Sequence, residues 1–243
     1  MRETVNILGV NIDKITAENA VKRAEELLKT DGTSVIYTPN PEIIMAAYED
    51  KSFESVLNSS DMCVPDGIGV VIGAKMVKTP LYERVAGFDL TCSLLKKMAE
   101  TNGRVFLFGS KPNVAEKAGE KLKKENPGLV IAGCRNGYFG DEDDDDIVNQ
   151  INEANADLLL VCLGAPKQEK WIYEHKNRLN VKLCIGAGGT LDVIAGEVKR
   201  APDIFIKLNL EWFYRICCQP TRIGRFAALP KFVLKILKER KRK

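Results

Sequence analysis

The sequence predicts an α/β fold in which a mostly parallel sheet carries helices on both faces. Short apolar runs alternate with stretches of helical spacing along most of the 243 residues, and this rhythm implies right-handed crossovers between parallel strands. An apolar content of 45% is enough for one large core or at most two small ones. We therefore expect one Rossmann-like core with a six-stranded sheet, an N-terminal hairpin before it and a C-terminal amphipathic helical extension after it.

The pattern predicts the elements in order, beginning with a hairpin around VNILGVNI, residues 5–12. Short apolar runs predict the six strands of the sheet, namely Ser34–Thr38, Asp61–Val64, Val105–Gly109, Val130–Gly133, Leu158–Leu163 and Leu183–Gly186. Helical spacing predicts the helices, namely Ala17–Lys29, Glu42–Tyr48, Gly67–Met76, Leu90–Thr101, Val114–Glu125, Asp143–Ala154, Lys167–Arg178 and Leu191–Ala195. In the fifth of these helices, Ala115, Ala118 and Leu122 fall on one face, as expected for a helix laid on a sheet.

Charge is distributed unevenly along the chain. Residues 199–243 hold 13 of the 36 Lys and Arg residues but 3 of the 33 Asp and Glu residues, so this segment carries +10 and residues 1–198 carry −7. We therefore predict a Rossmann-like core over residues 1–198 and a basic amphipathic C-terminal extension over residues 199–243. A basic extension suits an anionic partner, either membrane headgroups or nucleic acid.

The C-terminal extension has apolar residues at helical spacing in both halves, mixed with Lys and Arg. They are Phe205, Leu208, Trp212 and Ile216 in the first half, and Phe232, Val233, Ile236 and Leu237 in the second. An apolar face with Trp and Phe beside basic residues is typical of a helix that lies in a bilayer interface. Anionic lipid would also attract the terminal KERKRK by about 1 kcal/mol per charge. The alternative is that the first half packs against the core.

The sequence also predicts where the protein is made and kept. It contains no run of about 18 apolar residues that could span a bilayer, and MRETVNILGVNID lacks the charged-then-apolar pattern of a signal peptide. The seven Cys residues lie mostly in apolar runs and form no C-x-x-C pair, so we expect reduced core thiols rather than a zinc site or a disulfide framework. These observations predict a cytoplasmic protein.

Two features could suggest a catalytic or a metal-binding role, but we prefer a structural interpretation for both. The one His residue, His175, sits in the polar stretch KQEKWIYEHKNRL, where a solvated helix position is the preferred interpretation and no His-based triad can be assembled. The acidic run Asp141–Asp146 could hold a divalent metal, but acidic residues in a first helical turn are also stabilised, by about 0.3–1 kcal/mol each. Since helical spacing continues directly after the run, we favour a helix start and keep metal binding as the alternative.

Polar or glycine-rich turns follow several predicted strands. They are TPNPE, VPDGIG, FGSKP, LGAPKQE and GAGGTLD. Glycines let backbone amides approach a phosphate, and ligands of open parallel sheets bind at the carboxyl edge, meaning the edge formed by the carboxyl ends of the strands. The turns therefore predict a nucleotide-type ligand at this edge. The alternative is tight strand-to-helix packing, and GAGG lacks the full dinucleotide fingerprint.

Three polar side chains follow the first two strands of the sheet. The prolines of TPNPE keep Thr38 and Asn40 out of helical geometry and present both side chains where the strand ends. The alternative is a plain strand-to-helix turn with Pro41 as the first helical residue. Asp66, in VPDGIG, is either the N-cap of the next helix or a general base that takes a proton from an attacking hydroxyl.

Three Arg residues lie in the amphipathic part of the C-terminal extension, at positions 215, 222 and 225. If the extension folds over the carboxyl edge, their guanidinium groups could bind a diphosphate and stabilise the charge of a leaving group without a metal. Ordinary surface arginines are the alternative.

A series of ordered motifs resembles one known family. The motifs are TPNPE, PDGIGVV, ERVAGFDL, FLFGSKP, GYF, LGAPKQEKWI, GAGGTLDVIAGEVKRAP and LEWFYR. They span nearly the whole chain and resemble the WecG/TagA/CpsF glycosyltransferases (glycosyltransferase family 26), most closely the branch that acts in wall teichoic acid synthesis. The resemblance implies an inverting enzyme that uses no metal or other cofactor. It implies transfer of N-acetylmannosamine from its UDP conjugate to the 4-hydroxyl of N-acetylglucosamine on diphospho-undecaprenol, in a β-1,4 linkage.

The resemblance further implies roles for residues that would meet the sugars. Asp66 resembles the family's catalytic base, and Thr38 and Asn40 resemble residues that line the sugar pocket. Contacts to the donor or the acceptor are implied for Arg84 in YERVAG and for Gln168 in APKQE.

The resemblance also implies which residues contact the nucleotide and which stabilise the negative charge of the departing UDP. Tyr138, in NGYFG, resembles a stacking partner for uracil, and Gly188 and Asp192, in GAGGTLD, resemble contacts to the nucleotide. The C-terminal extension resembles a membrane-targeting lid. The arginines of that lid correspond here to Arg215, Arg222 and Arg225.

The resemblance implies a peripheral protein at the cytoplasmic face of the plasma membrane. Its partners would be a UDP-sugar donor, the undecaprenyl-diphosphate-linked acceptor and an anionic membrane surface, with no nucleic acid. Self-association could cover the apolar face of the extension. The identity of the donor sugar stays open, since some relatives use glucose and others use the uronic acid of N-acetylmannosamine. Two other functions stay open as well: an NAD-dependent epimerase or dehydrogenase, whose fingerprint is missing, and a nucleotide-binding membrane adaptor.

Overall fold

The main sheet has six parallel strands in the order β4-β3-β8-β7-β5-β6. The computed structural model of the chain describes residues 2–218 and 228–240, without the side chains at positions 141, 215, 216 and 218. The strands of the sheet are β3 Ser34–Tyr37, β4 Met62–Cys63, β5 Arg104–Gly109, β6 Val130–Arg135, β7 Leu158–Cys162 and β8 Leu183–Gly186. A separate antiparallel hairpin, β1 Thr4–Ile7 and β2 Val10–Asp13, precedes them. The predicted α/β class, six strands and hairpin are therefore confirmed.

Helices connect the strands and continue into the C-terminal extension. They are α1 Ala17–Leu27, α2 Pro41–Glu49, α3 Lys51–Asn58, α4 Ile68–Met76, α5 Gly87–Ala99, α6 Val114–Glu125, α7 Asp144–Glu153, α8 Lys167–His175, α9 Thr190–Ala195, α10 Asp203–Lys207, α11 Glu211–Cys218 and α12 Ala228–Arg240. Helix α3 was not predicted. It follows α2 directly because Asp50 turns the chain and caps the new helix, accepting hydrogen bonds from the backbone N–H groups of Ser52 and Phe53 at 3.0 and 3.2 Å.

The core lies on both faces of the sheet. Successive side chains of a strand point to opposite faces, so Leu158 and Leu160 of β7 join one apolar cluster while Leu159 and Val161 join the other. The first cluster also contains residues of α1, α5, α6 and α9, and the second contains residues of the hairpin and of α2, α3, α4, α7, α8 and α12. Burial on both faces explains why the sequences of the strands are continuous apolar runs and do not alternate between apolar and polar residues.

The second half of the C-terminal extension is part of this core. Phe232 and Ile236 of α12 are 0% and 1% exposed and pack against α2 and α4. A Cβ atom at Gly73 of α4 would lie 2.8 Å from the Phe232 ring and 2.9 Å from Ile236, so only glycine permits this approach. The prediction that Phe232 and Ile236 face a bilayer is wrong, because the glycine face of α4 receives them.

The first half of the C-terminal extension presents apolar side chains to the outside. Large hydrophobic residues of α10, α11 and the turn between them are exposed, namely Ile204, Leu208, Trp212 and Phe213. The alternative that this half packs its apolar residues against the core therefore does not hold for these four. Among the described residues, no helix is both long enough and apolar enough to cross a bilayer.

Candidate active site

The strand order places a topological switch point at the carboxyl edge between β5 and β7, and we refer to the space above this point as the crevice. The chain leaves β5 for β6 on one side and leaves β7 for β8 on the other, so the two connections diverge at this point. Ligands of open α/β sheets bind where connections diverge in this way. The turns after β5, β6, β7 and β8 surround the crevice, and they contain several of the predicted site residues.

Asp192 lies at this crevice and is held by the turn after β5. Its Oδ2 accepts a hydrogen bond from Ser110 Oγ at 3.2 Å, and its side chain is half-buried in the first turns of α9. The main-chain carbonyl of Ser110 accepts from the N–H of Gly137 at 2.9 Å, which ties the turn after β6 to the same place. Sequence reasoning missed Ser110, although it is the polar residue directly after the apolar strand β5.

Tyr138 projects from the turn after β6 and is 66% exposed. Its backbone N–H donates to Asn136 Oδ1 at 3.0 Å, and the neighbouring Phe139 ring packs under Lys167 Nζ at 3.8 Å from the ring centroid. Lys167 belongs to α8, so the turns after β6 and β7 are joined. An exposed aromatic ring fixed at the rim of a crevice can stack on a planar base.

Gln168 connects the turns after β7 and β8 from inside the protein. Its Oε1 accepts from the backbone N–H groups of Gly164 at 3.2 Å and Gly188 at 3.0 Å, and its Nε2 donates to Glu169 Oε1 at 2.8 Å. The residue is 2% exposed. The hydrogen bonds of Gln168 therefore hold the glycine turns that border the crevice.

Thr38 and Asn40 lie in the turn after β3, beside the turn after β8. Thr38 Oγ1 donates to the carbonyl of Gly186 at 3.3 Å, and its side chain packs against Gly87 at the start of α5. Asn40 Oδ1 accepts from the N–H of Ile43 at 3.0 Å and so caps α2. Pro41 is the first residue of that helix, which confirms the alternative interpretation of the second proline.

Asp66 lies in the neighbouring turn, after β4. Its backbone N–H donates to the carbonyl of Pro39 at 3.2 Å, so the Asp66 turn and the Thr38–Asn40 turn lie against each other. The N-cap position of α4 belongs to Gly67 (φ +91°), which has no side chain to cap with. Asp66 is half-buried at the carboxyl edge, directly before the helix.

Arg84 ties this part of the edge to the C-terminal extension. Its Nη2 donates to Glu211 Oε2 at 2.6 Å, and the two side chains are 14% and 11% exposed. A cavity of about 570 Å³ lies beside the pair, between α4, α5 and α10, with Ile68, Leu90 and Ile206 among its lining residues. Ile68, which begins α4 two residues after Asp66, is the lining residue nearest in sequence to the candidate base. Sequence reasoning missed Glu211, an acidic residue in an apolar and basic helix.

The side chains of the three predicted arginines lie outside the part of the chain that the structure describes. Arg215 belongs to α11, but its side chain lies outside the description. Arg222 and Arg225 lie outside the described residues altogether.

The acidic run and His175 form a structural cluster. Asp144 Oδ1 accepts from Trp171 Nε1 at 2.8 Å, and Asp145 pairs with Arg178 at 2.6 Å, so these carboxylates hold α7 to α8 and to the segment that follows α8. The interpretation of the run as a helix start is confirmed for Asp144–Asp146, and no metal-holding group of three His, Cys, Asp or Glu residues occurs within the described ranges.

His175 is 7% exposed, so its predicted solvated position is wrong. It stacks on the Trp171 ring at 4.6 Å because residues four apart share a helix face, and its Nε2 lies 3.5 Å from Asp144 Oδ2. The cysteines fit the predicted core role in part. Cys63, Cys162 and Cys184 are buried, whereas Cys217 is exposed.

Known proteins match the chain along nearly its full length. A family model described as the glycosyl transferase WecG/TagA/CpsF family matches residues 5–243. Similar curated proteins carry the name N-acetylglucosaminyldiphosphoundecaprenol N-acetyl-beta-D-mannosaminyltransferase. The one from Bacillus subtilis (strain 168) is 42% identical over 210 residues, covering 86% of this chain and 81% of the relative. The one from Staphylococcus aureus (strain MRSA252) is 36% identical over 240 residues, covering 98% and 94%.

A third relative of the same name, from Bacillus spizizenii (strain ATCC 23059 / NRRL B-14472 / W23), is 40% identical over 203 residues, covering 84% of this chain and 78% of the relative. The matches extend across the turns that form the carboxyl edge and into the C-terminal extension. The predicted resemblance is confirmed, and the chain belongs to the glycosyl transferase WecG/TagA/CpsF family.

Proposed function

We propose that the chain transfers N-acetyl-D-mannosamine from its UDP conjugate to the 4-hydroxyl of N-acetylglucosamine on diphospho-undecaprenol, as an early step in building the linkage unit of wall teichoic acid. The observation that carries the proposal is that relatives aligned with 86% and 98% of this chain are named as N-acetylmannosaminyltransferases acting on N-acetylglucosaminyldiphosphoundecaprenol. The carboxyl edge supports it, because Asp66 lies there against the polar turn that holds Thr38 and Asn40.

Asp66 is the proposed general base. It takes the proton of the acceptor 4-hydroxyl while the hydroxyl oxygen attacks the anomeric carbon of the donor from the face opposite UDP. The new glycosidic C–O bond forms as the bond from the anomeric carbon to the UDP oxygen breaks, and one such displacement inverts configuration. The hydrogen bond from the Asp66 N–H to Pro39 supports this role, since it sets the base beside the proposed sugar-binding residues Thr38 and Asn40.

The nucleotide is proposed to occupy the crevice between β5 and β7. Uracil would stack on the exposed ring of Tyr138, and Asp192 would accept a hydrogen bond from the nucleotide while Ser110 orients it. Gly188 adds a turn without a Cβ atom, which allows close approach of the ligand. The family resemblance gave these roles, and the convergence of the four turns supports them.

The C-terminal extension is proposed to complete the site. Arg84 contacts donor or acceptor, and the Arg84–Glu211 pair brings the start of α11 to the same region. Arg215, Arg222 and Arg225 would then offset the negative charge that grows on UDP as it leaves, in place of a metal. Loss of one such donor would cost about 10²–10³ in rate.

An anionic membrane surface at the inner face of the plasma membrane is the proposed location of the reaction. The acceptor is a lipid, and the extension combines a +10 charge with four exposed apolar side chains on its first half. Binding of these side chains to a membrane would bring the acceptor diphosphate to the carboxyl edge.

Release of UDP from UDP-N-acetylmannosamine, measured with and without a lipid-diphosphate N-acetylglucosamine acceptor, tests the proposed function. We expect release that requires the acceptor and a disaccharide product with a β linkage. A panel of UDP-glucose and the UDP-linked uronic acid tests the choice of donor. Nucleotide binding without transfer to any acceptor would instead identify a binding protein and reject the proposal.

A further inference from the structure

We propose that Glu169 is a positioning residue, which holds the side-chain amide of Gln168 in one orientation and thereby fixes the glycine turns after β7 and β8. The kinetic part of this inference rests on the proposed function, but the structural part does not. Glu169 is 1% exposed, and the transfer chemistry proposed above makes no use of its carboxyl group.

The neighbours of the Gln168 side-chain amide fit one of its two orientations. Its Oε1 faces two donors, the backbone N–H groups of Gly164 and Gly188, at 3.2 and 3.0 Å. Its Nε2 faces an acceptor, Glu169 Oε1, at 2.8 Å. A flipped amide would point N–H groups at both glycine N–H groups and an oxygen at a carboxylate, so all three hydrogen bonds would be lost. The acceptor at Glu169 therefore selects the orientation that serves both turns.

The location of Glu169 is costly for the fold, which argues against a role in stability alone. Its other carboxyl oxygen, Oε2, has no hydrogen-bond partner among residues 2–218 and 228–240. Burial raises the pKa of Glu169 to about 7, so ionising this group inside the protein is unfavourable. An apolar side chain of similar size would avoid both penalties but would leave the Gln168 amide without its acceptor.

The two turns that the amide holds both border the crevice. Gly164 and Gly188 have φ values of +78° and +55°, in the left-handed region that favours glycine. The Gly188 turn leads into α9 and Asp192, and the Gly164 turn leads into α8. On the opposite side, the Tyr37 hydroxyl donates to the main-chain carbonyl of Glu169 at 3.0 Å, which links the network to β3, the strand directly before Thr38. A change at Glu169 should therefore move the proposed nucleotide contacts.

Two substitutions at Glu169 separate its hydrogen-bonding role from its charge. Glu169→Met removes the acceptor and keeps the length of the side chain, and Glu169→Gln keeps an acceptor without the charge. We expect Glu169→Met to raise KM for the UDP-sugar about tenfold, with kcat changed less than threefold, and Glu169→Gln to stay within threefold of the wild type in both. Glu174→Gln, at an exposed position of the same helix, is the matched control.

Amide hydrogen exchange tests the structural part without any substrate. In the full-length protein, we expect the N–H groups of Gly164 and Gly188 to exchange at least tenfold faster in Glu169→Met than in the wild type or in Glu169→Gln. Wild-type exchange and wild-type KM in a folded Glu169→Met variant would overturn the inference. Equal impairment of Glu169→Gln and Glu169→Met would also overturn it, because charge rather than the acceptor would then be decisive. A failure of the transferase assay alone would reject the proposed function and leave the exchange result standing.

An exchange of acid and amide provides the second test, in case Glu169→Met does not fold. Gln168→Glu alone places two carboxylates in contact, and we expect it to impair donor binding at least tenfold. Adding Glu169→Gln restores all three hydrogen bonds, because the new carboxylate at position 168 still accepts from both glycines and now also accepts from the new amide at position 169. Only the hydrogen bond between residues 168 and 169 changes direction. Recovery of KM and of slow exchange in the double variant supports the inference, and no recovery overturns it.

Discussion

Glu169 couples protonation to folding because its carboxyl group is buried. Burial raises the pKa from 4.5 to about 7, so the folded chain retains a proton in the interval between these values where the unfolded chain has lost it. A group with a raised pKa contributes stability that is fully present below the unfolded pKa and is lost as the pH rises through the folded pKa. The stability that Glu169 contributes should therefore decline as the pH rises across this interval.

We expect the Glu169→Gln variant to lack this decline. Relative to the variant, the wild type should lose about 3 kcal/mol at most in the free energy of unfolding between about pH 5 and about pH 8, at about 1.4 kcal/mol per pKa unit. Urea denaturation of both proteins at the two pH values measures the difference. The same pH dependence in both proteins would contradict the assignment of a raised pKa to Glu169.

Individual polar residues were the hardest feature to predict, because burial of a polar side chain depends on neighbours that are distant in sequence. The motif LGAPKQE identified Gln168 as a site residue, but its hydrogen bond to Gly188 exists only because β7 and β8 are adjacent. Glu169 looked like an ordinary acidic residue near a helix start. The inward position of His175 could have been predicted, since it lies four residues after Trp171 on the same helix face.

Helix α12 is held to the core by contact with the glycine face of α4. Leu229 of α12 and Pro41 of α2 lie 2.8 and 2.6 Å from the position that a Cβ atom would take at Gly69, and Phe232 lies equally close to Gly73. The two glycines are four residues apart, so they form one smooth strip on the helix surface. The start of α4, beside Asp66, is therefore packed against both α2 and α12.

We expect Gly73→Ala to destabilise the protein by about 1–3 kcal/mol, because overpacking outweighs the gain of about 1 kcal/mol in helix propensity. Chemical denaturation measures the effect. Phe232→Leu shortens the side chain that meets the new methyl group, so the double variant should lose less stability than the sum of the two single variants. Additive losses, or a stabilised Gly73→Ala variant, would contradict the close packing of α4 and α12.

Elements of the core were predicted well because their burial is uniform along their length. Strands buried on both faces give continuous apolar runs, as in Leu158–Cys162, and the helices between them show one apolar face. Helix α3 was not predicted because only Asp50 separates it from α2, and no glycine or proline marks the boundary. Its start depends on the capping hydrogen bonds of Asp50 rather than on a break in hydrophobic spacing.

The core and the first half of the C-terminal extension are connected by a mostly buried ion pair. Arg84 and Glu211 lie 2.6 Å apart, next to the cavity that contains Ile206 and Asn209 of the extension. Removing one partner leaves the other charge buried, which costs about 3–5 kcal/mol in typical cases. The pair should therefore decide whether α11 stays against the core.

We expect Glu211→Gln to increase hydrogen exchange over α10 and α11 and to lower the stability of the protein. Glu197→Gln, which breaks an exposed pair with Lys117, is the matched control and should leave stability close to that of the wild type. Exchange mass spectrometry over residues 203–218 measures both variants. Equal exchange in Glu211→Gln and Glu197→Gln would contradict the proposed connection.

The two halves of the extension have different environments, and this difference decides which substitutions can test membrane binding. Deleting residues 199–243 would remove Phe232 and Ile236 from the core, so it would test folding as much as membrane binding. We expect the substitution of Trp212 and Phe213 by Ser to weaken sedimentation with phosphatidylglycerol vesicles about tenfold or more at unchanged stability, because their exposed rings no longer enter the interface. Tyr173→Ser, at an exposed position of α8, is the control, and unchanged sedimentation would contradict the membrane role of α11.

The sequence predicted an amphipathic extension, but it wrongly placed the apolar residues Phe232 and Ile236 of the second half at a bilayer. Lys and apolar residues alternate in both halves, and periodicity does not reveal which apolar face meets another helix. The glycines at positions 69 and 73 carry that information, since they create space on α4 for Phe232. The carboxyl edge itself was predictable, because every turn that forms it follows a recognisable strand.

Transfer to a lipid-diphosphate N-acetylglucosamine acceptor, measured under single-turnover conditions with the Asp66→Asn variant, tests whether Asp66 is the general base. We predict that transfer falls by about 10²–10⁴-fold while UDP affinity and the unfolding midpoint stay at wild-type values. Asp31→Asn, at an exposed position away from the carboxyl edge, should transfer at the wild-type rate. Near-normal transfer by a folded Asp66→Asn variant would show that Asp66 is not the general base.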